Sequence, residues 1–195
     1  MEDALAKLLK GNENFACNSC QVKVSPEKRQ ELCKGQCPSA IVLACSDSRV
    51  APEIIFDASL GEIFVVRTAG NVLDKIALGS IEYAALHLHT SLIIVLGHEK
   101  CGAVTAACKV ENGAQAESPN ISAICKKILP AVKAAKKKLP SAGEAEIIEK
   151  ASAINVKKVI SKIRKSHIIS KLLSEGKIKI VGAKHSITCS KVEML

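Results

Sequence analysis

The stretch VLACSDSRVAPE, residues 42 to 53, sets a thiol, a carboxylate and a guanidinium at Cys45, Asp47 and Arg49, directly after an apolar run. A run of that kind reads as a buried strand, and alternation at its end aims side chains to one side of the chain. A second apolar run, LIIVLG, delivers His98 and Cys101 in GHEKCGAV. An imidazole and a thiolate so spaced fall within one turn of backbone and can reach one ion. With Cys45 added from the other strand, the set becomes Cys2His, a zinc donor set that leaves a fourth position open to water or another ligand. Sulfur and nitrogen donors favour zinc over magnesium or calcium, which take oxygen shells. Either strand end alone reads equally well as small buried cysteines and a satisfied turn histidine; both together favour the metal. Asp47, when ionised, is an acceptor only, and Arg49 can hold it in a bidentate pair. The plainer alternative for Arg49 is a surface ion pair worth ~0 to 1 kcal/mol.

Positioning these groups requires a frame. Residues 40–45, 62–67, 91–97 and 177–183 read as buried strands, and KVEML as a short last strand at an edge. Helical spacing runs through residues 2–10, 26–34, 76–89, about 119–138 and about 144–174, the last with a break. Strands apolar throughout and separated by helices predict an α/β fold: a central, mostly parallel sheet of four to five strands flanked by helices, with an N-terminal helical arm. VENGAQAESPN and PSAGEAE are polar, turn-rich loops, and neither is long enough to separate domains. In an open parallel sheet, ligands bind outside the carboxyl ends of the strands, where both candidate clusters fall.

The chain of 195 residues, 48% hydrophobic, reads as one domain spanning 1–195. Only 2% of it is aromatic, so the base-stacking surfaces of single-stranded nucleic-acid binders are scarce, and no nucleic-acid partner is expected. The net charge of +9 arises in the second half, where residues 98–195 carry 19 Lys/Arg against 8 Asp/Glu. These lysines interleave with apolar residues at helical spacing and read as a solvated helix face; an acidic surface, membrane or nucleic acid is the alternative. The N-terminus MEDALAKLLKGNENF lacks the apolar core of a secretory signal, and no segment approaches a membrane span. The expected location is cytoplasmic, with no membrane partner. Nine cysteines, an odd number, argue against a complete disulfide framework and for metal binding by some of them. The spacing Cys17-x2-Cys20-x12-Cys33-x3-Cys37 could hold a second, structural zinc; redox-sensitive thiols and inert small residues are the alternatives.

The sequence resembles the β-class carbonic anhydrases. The resemblance rests on ACSDSRVAPE, LGEIFVVRTAGNV, GSIEYAALHL and LIIVLGHEKCGAV in the family's order, extends upstream to LLKGNENF and GQCPSA, and is weaker downstream in IKIVGAKHSITCSKVEML. It implies Cys45, His98 and Cys101 as ligands of one Zn2+ per subunit, and Asp47 and Arg49 as the catalytic carboxylate and guanidinium dyad. Asp47 is also implied as an alternative fourth ligand in a closed state. By the same resemblance Gln36 donates an amide to substrate across a subunit interface, Phe64, Ala69 and Tyr83 line an apolar pocket, and Gly102 offers a backbone N–H near the metal. The implied reaction is reversible hydration of CO2 to bicarbonate and a proton through zinc-bound hydroxide, in a homodimer or homotetramer with active sites at the interface. In MEDALAKLLKGNENF, Ala4, Leu5, Leu8 and Leu9 form an apolar stripe suited to embracing a partner. His87, four residues from Tyr83 on one helix face, is a candidate proton shuttle, since an ordinary imidazole titrates at about 6.5.

The chain departs from the family at Thr68, where Asn is frequent, and at Lys184 and His185, where an aromatic residue often closes the last strand. It also has no Trp, which one subset of the family uses in a regulatory bicarbonate pocket. Rival functions are a zinc hydrolase acting on CS2 or COS, and a non-catalytic zinc-stabilised redox-sensing or binding subunit; a binding module has no need for the Asp47–Arg49 dyad.

Overall fold

The computed structural model describes residues 1–22 and 24–195. Among these described residues, eight α-helices and five strands follow in the order α1 Glu2–Ala16, α2 Pro26–Leu32, β1 Ala40–Cys45, α3 Pro52–Ile55, β2 Ile63–Thr68, α4 Lys75–His87, β3 Leu92–His98, α5 Gly102–Glu111, α6 Pro119–Lys138, α7 Glu144–Ile163, α8 His167–Ser174, β4 Lys179–His185 and β5 Val192–Met194. The sheet order is β2-β1-β3-β4-β5. The first four strands are parallel, and β5 returns antiparallel at the edge.

This order explains the apolar runs. β1 and β3 are interior strands covered on both faces, so every residue of AIVLAC and LIIVLGH is buried. On one face Ile41, Leu43, Ile93 and Val95 pack against α4, α7 and α8; on the other Val42, Ile94 and Leu96 pack against Leu8 of α1 and Phe56. Each such side chain contributes about 1.5–3 kcal/mol through burial. Edge strand β2 is only partly buried.

Helix starts follow their caps. Asp74 accepts from the Ala77 N–H at 2.7 Å, and Ser118 from the Ile121 N–H at 3.1 Å. The expected break within 144–174 falls between α7 and α8, where Ser166 caps α8 by accepting from the Ile169 N–H. Three elements differ from expectation. Helix α1 continues past residue 10 to Ala16, because Gly11 is a packing contact and not a stop: a Cβ there would stand 1.9 Å from the Phe56 carbonyl oxygen. Helix α3 is only four residues long, and α5 is built from small, weakly patterned residues, so neither shows a clear helical period. The stripe on α1 is partly used within the chain, since Leu8 is buried and Ala4 and Leu5 pack beside it. No described helix is long and apolar enough to cross a membrane.

Candidate metal centre

Cys45 is the last residue of β1 and His98 the last of β3, so pairing of these neighbouring strands brings both to one edge of the sheet. A four-residue turn then carries the chain to Cys101, the N-cap of α5, with Lys100 in a left-handed conformation at φ 53°. One ligand atom from each of Cys45, His98 and Cys101 lies within 4.8 Å of the others, and all three residues are buried. Among the described residues no other group of three such side chains converges in this way.

The donor chemistry fits a soft divalent cation. His98 Nδ1 lies 2.8 Å from the Glu99 carbonyl oxygen, which can only accept, so Nδ1 carries the proton and Nε2 keeps its lone pair. That Nε2 is buried with no hydrogen-bond partner, the state of an imidazole nitrogen reserved for a metal. The Cys101 thiol beside it, and after it the backbone N–H groups of Asp47 and Gly70, hold the Cys45 thiol well below its ordinary value despite burial. Cys101 is pushed up for the reciprocal reason, its proton being shared with Cys45. A cation that binds both as thiolates relieves this competition.

Around these three residues the backbone is tightly specified. The Gly70 N–H donates to Cys45 Sγ at 3.2 Å from a short helical turn, Ala69–Asn71, that follows β2. Gly70 has φ 66°, and a Cβ there would meet Ile128 Cδ1 at 2.7 Å and Ala103 Cβ at 2.9 Å, so only glycine fits without rearrangement. Thr68 bridges this turn, donating to the Val72 carbonyl at 2.7 Å.

Asp47 stands beside the ligands in the grip of Arg49. Arg49 Nε donates to Oδ1 at 2.9 Å, Nη2 to Oδ2 at 2.8 Å, and the Arg49 backbone N–H to Oδ1 at 3.0 Å. These bonds hold the Asp47 carboxyl far below the usual carboxylate range. Arg67, which sequence reasoning missed, donates to the carbonyl of Cys45 at 3.0 Å and to that of Asp47 at 2.7 Å, fixing the loop between them. Also missed were three side chains of α7: Glu149, Ser152 and Asn155 accept from or donate to backbone at Lys100, His98 and Gly70. These contacts leave no local sequence signal, because the partners lie 49 to 85 residues apart.

The other expected site residues divide into two groups. Ala69 and Gly102 adjoin the centre, Ala69 beside Gly70 and Gly102 as the first residue of α5 after Cys101. Phe64, Tyr83 and His87 form a separate cluster, with ring centroids 6.5 Å apart for Phe64–Tyr83 and 5.1 Å for Tyr83–His87. Tyr83 and His87 are exposed. His87 ends α4, which carries the chain back toward the start of β3, a rise of about 18 Å along a helix of this length. Gln36 precedes β1 in a groove of about 570 Å³ shared with Leu32, Leu60 and Glu62, at the end of the strand opposite Cys45. Within one chain, then, these four lie away from the ligands. Cys17, Cys20, Cys33 and Cys37 are all exposed, and the second metal cluster that their spacing suggested is not formed among the described residues.

Comparison with known proteins agrees with this geometry. The family model for carbonic anhydrase matches residues 40–192. Carbonic anhydrase 2 of Mycobacterium tuberculosis is 38% identical over 92% of this chain and 86% of its own length. The carbonic anhydrase of Mycolicibacterium smegmatis is 38% identical over 86% of this chain and 80% of its own. Among solved structures, the β-carbonic anhydrase CcaA superposes with a TM-score of 0.82 at 26% identity, covering 97% of this chain and 94% of that one. The chain belongs to the carbonic anhydrase family, in its β class.

Proposed function

We propose that this protein catalyses the zinc-dependent, reversible hydration of CO2 to bicarbonate and a proton. The observation that carries the reading is the buried, unpartnered His98 Nε2 converging with Cys45 and Cys101 beside a carboxylate held bidentate by Arg49. Cys45, His98 and Cys101 are the residues that would hold zinc. When bound, zinc supplies Lewis acidity that lowers the pKa of water from 15.7 towards about 7.

Cys45 and Cys101, as thiolates, donate charge and blunt that acidity, so activity rises toward alkaline pH. Asp47, ionised throughout the neutral range by its Arg49 contacts, is an acceptor that would take a hydrogen bond from a hydroxyl group held at the centre and so orient its lone pair toward the carbon of CO2. Arg49 keeps Asp47 in this position; release of the pair would free the carboxylate to act as a further metal donor. Ala69 and Gly102 border the place where substrate would sit.

Gln36, Phe64, Tyr83 and His87 enter this mechanism only if a second copy of the chain supplies them, and we assign the protein as a homodimer or homotetramer on that basis. The outer face of α4, with Ile76, Tyr83 and Leu86 exposed, supports such pairing. The Sordaria macrospora β-carbonic anhydrases, which share the fold at 22% identity and a TM-score of 0.81, are tetrameric. His87 would then serve as proton shuttle at the junction. Residues 1–195 act as a single domain, in the cytoplasm, without a nucleic-acid or membrane partner.

Stopped-flow CO2 hydration between about pH 6.5 and 9, on protein of known zinc content, tests the reading with Cys45→Ala as control. Activity that rises with pH and disappears with the metal is the expected result. Fully zinc-loaded protein without CO2 hydration at any pH would contradict it and direct attention to CS2, COS and binding functions.

A further inference from the structure

Helix α7 carries Glu149, Ser152 and Asn155 at a spacing of three, which keeps them along one side of the helix. Ser152 and Asn155 are 3% and 2% exposed. Polar side chains buried this deeply cost stability unless paired, and both are paired outside their own helix. Ser152 Oγ donates to the carbonyl of His98 at 3.0 Å, and Asn155 Nδ2 donates to the carbonyl of Gly70 at 3.0 Å. Glu149 accepts from the Lys100 N–H at 2.8 Å and pairs through its other oxygen with Lys184.

The recipients are the backbone groups around the three cysteine and histidine ligands. Gly70 is the most telling. Its N–H touches Cys45 Sγ while its carbonyl is held by Asn155, and a glycine has the greatest freedom to rotate between those two peptides. Thr68 braces the turn through Val72, but Asn155 is the side chain that holds the Gly70 carbonyl itself. Docking of α7 does not require these polar groups. Ala151, Val156 and Val159 are buried, and Gly97 and Gly182 leave room for Val156, which a Cβ at either glycine would approach to 2.7 or 2.8 Å.

We infer that Ser152 and Asn155 are positioning residues of the metal centre, holding the His98 carbonyl and the Gly70 peptide so that the imidazole and the Cys45 sulfur keep their ligand geometry. This rests on the metal-centre reading above and deepens it. Neither side chain meets the ion; each acts on a ligand through one backbone group, as outer-shell partners of metal ligands do.

The test compares Ser152→Ala and Asn155→Ala with Ser152→Thr, which keeps the hydroxyl, and with Lys157→Ala on the exposed side of α7. Zinc affinity is measured by competition with a chelating indicator. The thiolate-to-metal absorption band is recorded after cobalt(II) substitution. Both alanine variants should lose about 10–100-fold in zinc affinity. Asn155→Ala should also shift the cobalt–thiolate band, a change that a purely structural role would not produce. Ser152→Thr should recover affinity relative to Ser152→Ala, and Lys157→Ala should match the parent protein. Should Asn155→Ala fail to fold, the Ser152 pair decides the matter alone. Folded alanine variants with parental zinc affinity and an unmoved cobalt band would overturn the inference while leaving the metal centre intact. A parent protein that takes up neither zinc nor cobalt would remove the metal centre and the inference with it.

Discussion

Two groups of cysteines in this chain look alike on paper and differ in space. Cys45 and Cys101 are 4% and 1% exposed, close to each other and to His98, whereas Cys17, Cys20, Cys33 and Cys37 are exposed and form no such cluster among the described residues. The N-terminal four have the more regular spacing in sequence. What distinguishes the first pair is the element beneath each residue: the end of an interior strand for Cys45, and the cap of a helix that follows another interior strand for Cys101. A rigid, water-poor frame brings thiols together with an imidazole, and sequence spacing without that frame does not.

The largest expected effect breaks the buried group. Cys45→Ala or His98→Ala should abolish zinc retention and leave CO2 hydration at the rate of buffer alone, as read by metal analysis alongside stopped-flow assays. Next comes Asp47→Ala, which should retain zinc while turnover falls on the order of 10²-fold, because the attacking group loses its orientation. Unchanged turnover would remove Asp47 from its assigned role.

A smaller effect probes the frame. Gly70→Ala forces a Cβ onto a backbone with φ 66° and into contact with Ile128 and Ala103, and should cost about 1–3 kcal/mol in urea unfolding. The acid side of the stability curve probes the turn that carries His98 and Cys101. Hydrogen bonds from Thr188 and Ser186 lower the Glu99 carboxyl from 4.5 to about 2. A carboxyl whose folded value is depressed contributes its stability above the unfolded value and loses it as pH falls toward the folded one. Urea midpoints should therefore decline between about pH 4.5 and 2, and Glu99→Gln should flatten that decline. The smallest effect belongs to the exposed group: replacing Cys17, Cys20, Cys33 and Cys37 by Ser should leave stability within about 0.5 kcal/mol per site.

The convergence of Cys45, His98 and Cys101 was legible in the sequence because Cys45 and His98 end β1 and β3 and Cys101 follows within a turn, where uninterrupted apolar runs stop at Cys45 and Gly97. The parallel arrangement followed from the same runs. What stayed illegible depends on distance along the chain. Nothing near Asn155 in sequence announces Gly70, and nothing near Arg67 announces the carbonyls of Cys45 and Asp47. Helix α5 was hidden because its interior, GAVTAACKVE, is small and weakly patterned, and Gly11 resembled a helix stop because its contact with Phe56 is tertiary. Tyr83 and His87 were correctly placed on one helix face, but where that helix ends relative to the metal ligands is a property of the folded chain.

The measurement that bears most directly on the contrast between the two cysteine groups is zinc K-edge X-ray absorption on the full chain, with the metal content determined in parallel. One zinc per chain, bound by two sulfurs at about 2.3 Å and by an imidazole nitrogen at about 2.0–2.1 Å, is the predicted result. A shell of four sulfurs, or a second zinc in that environment, would place metal on the N-terminal cysteines and contradict the account.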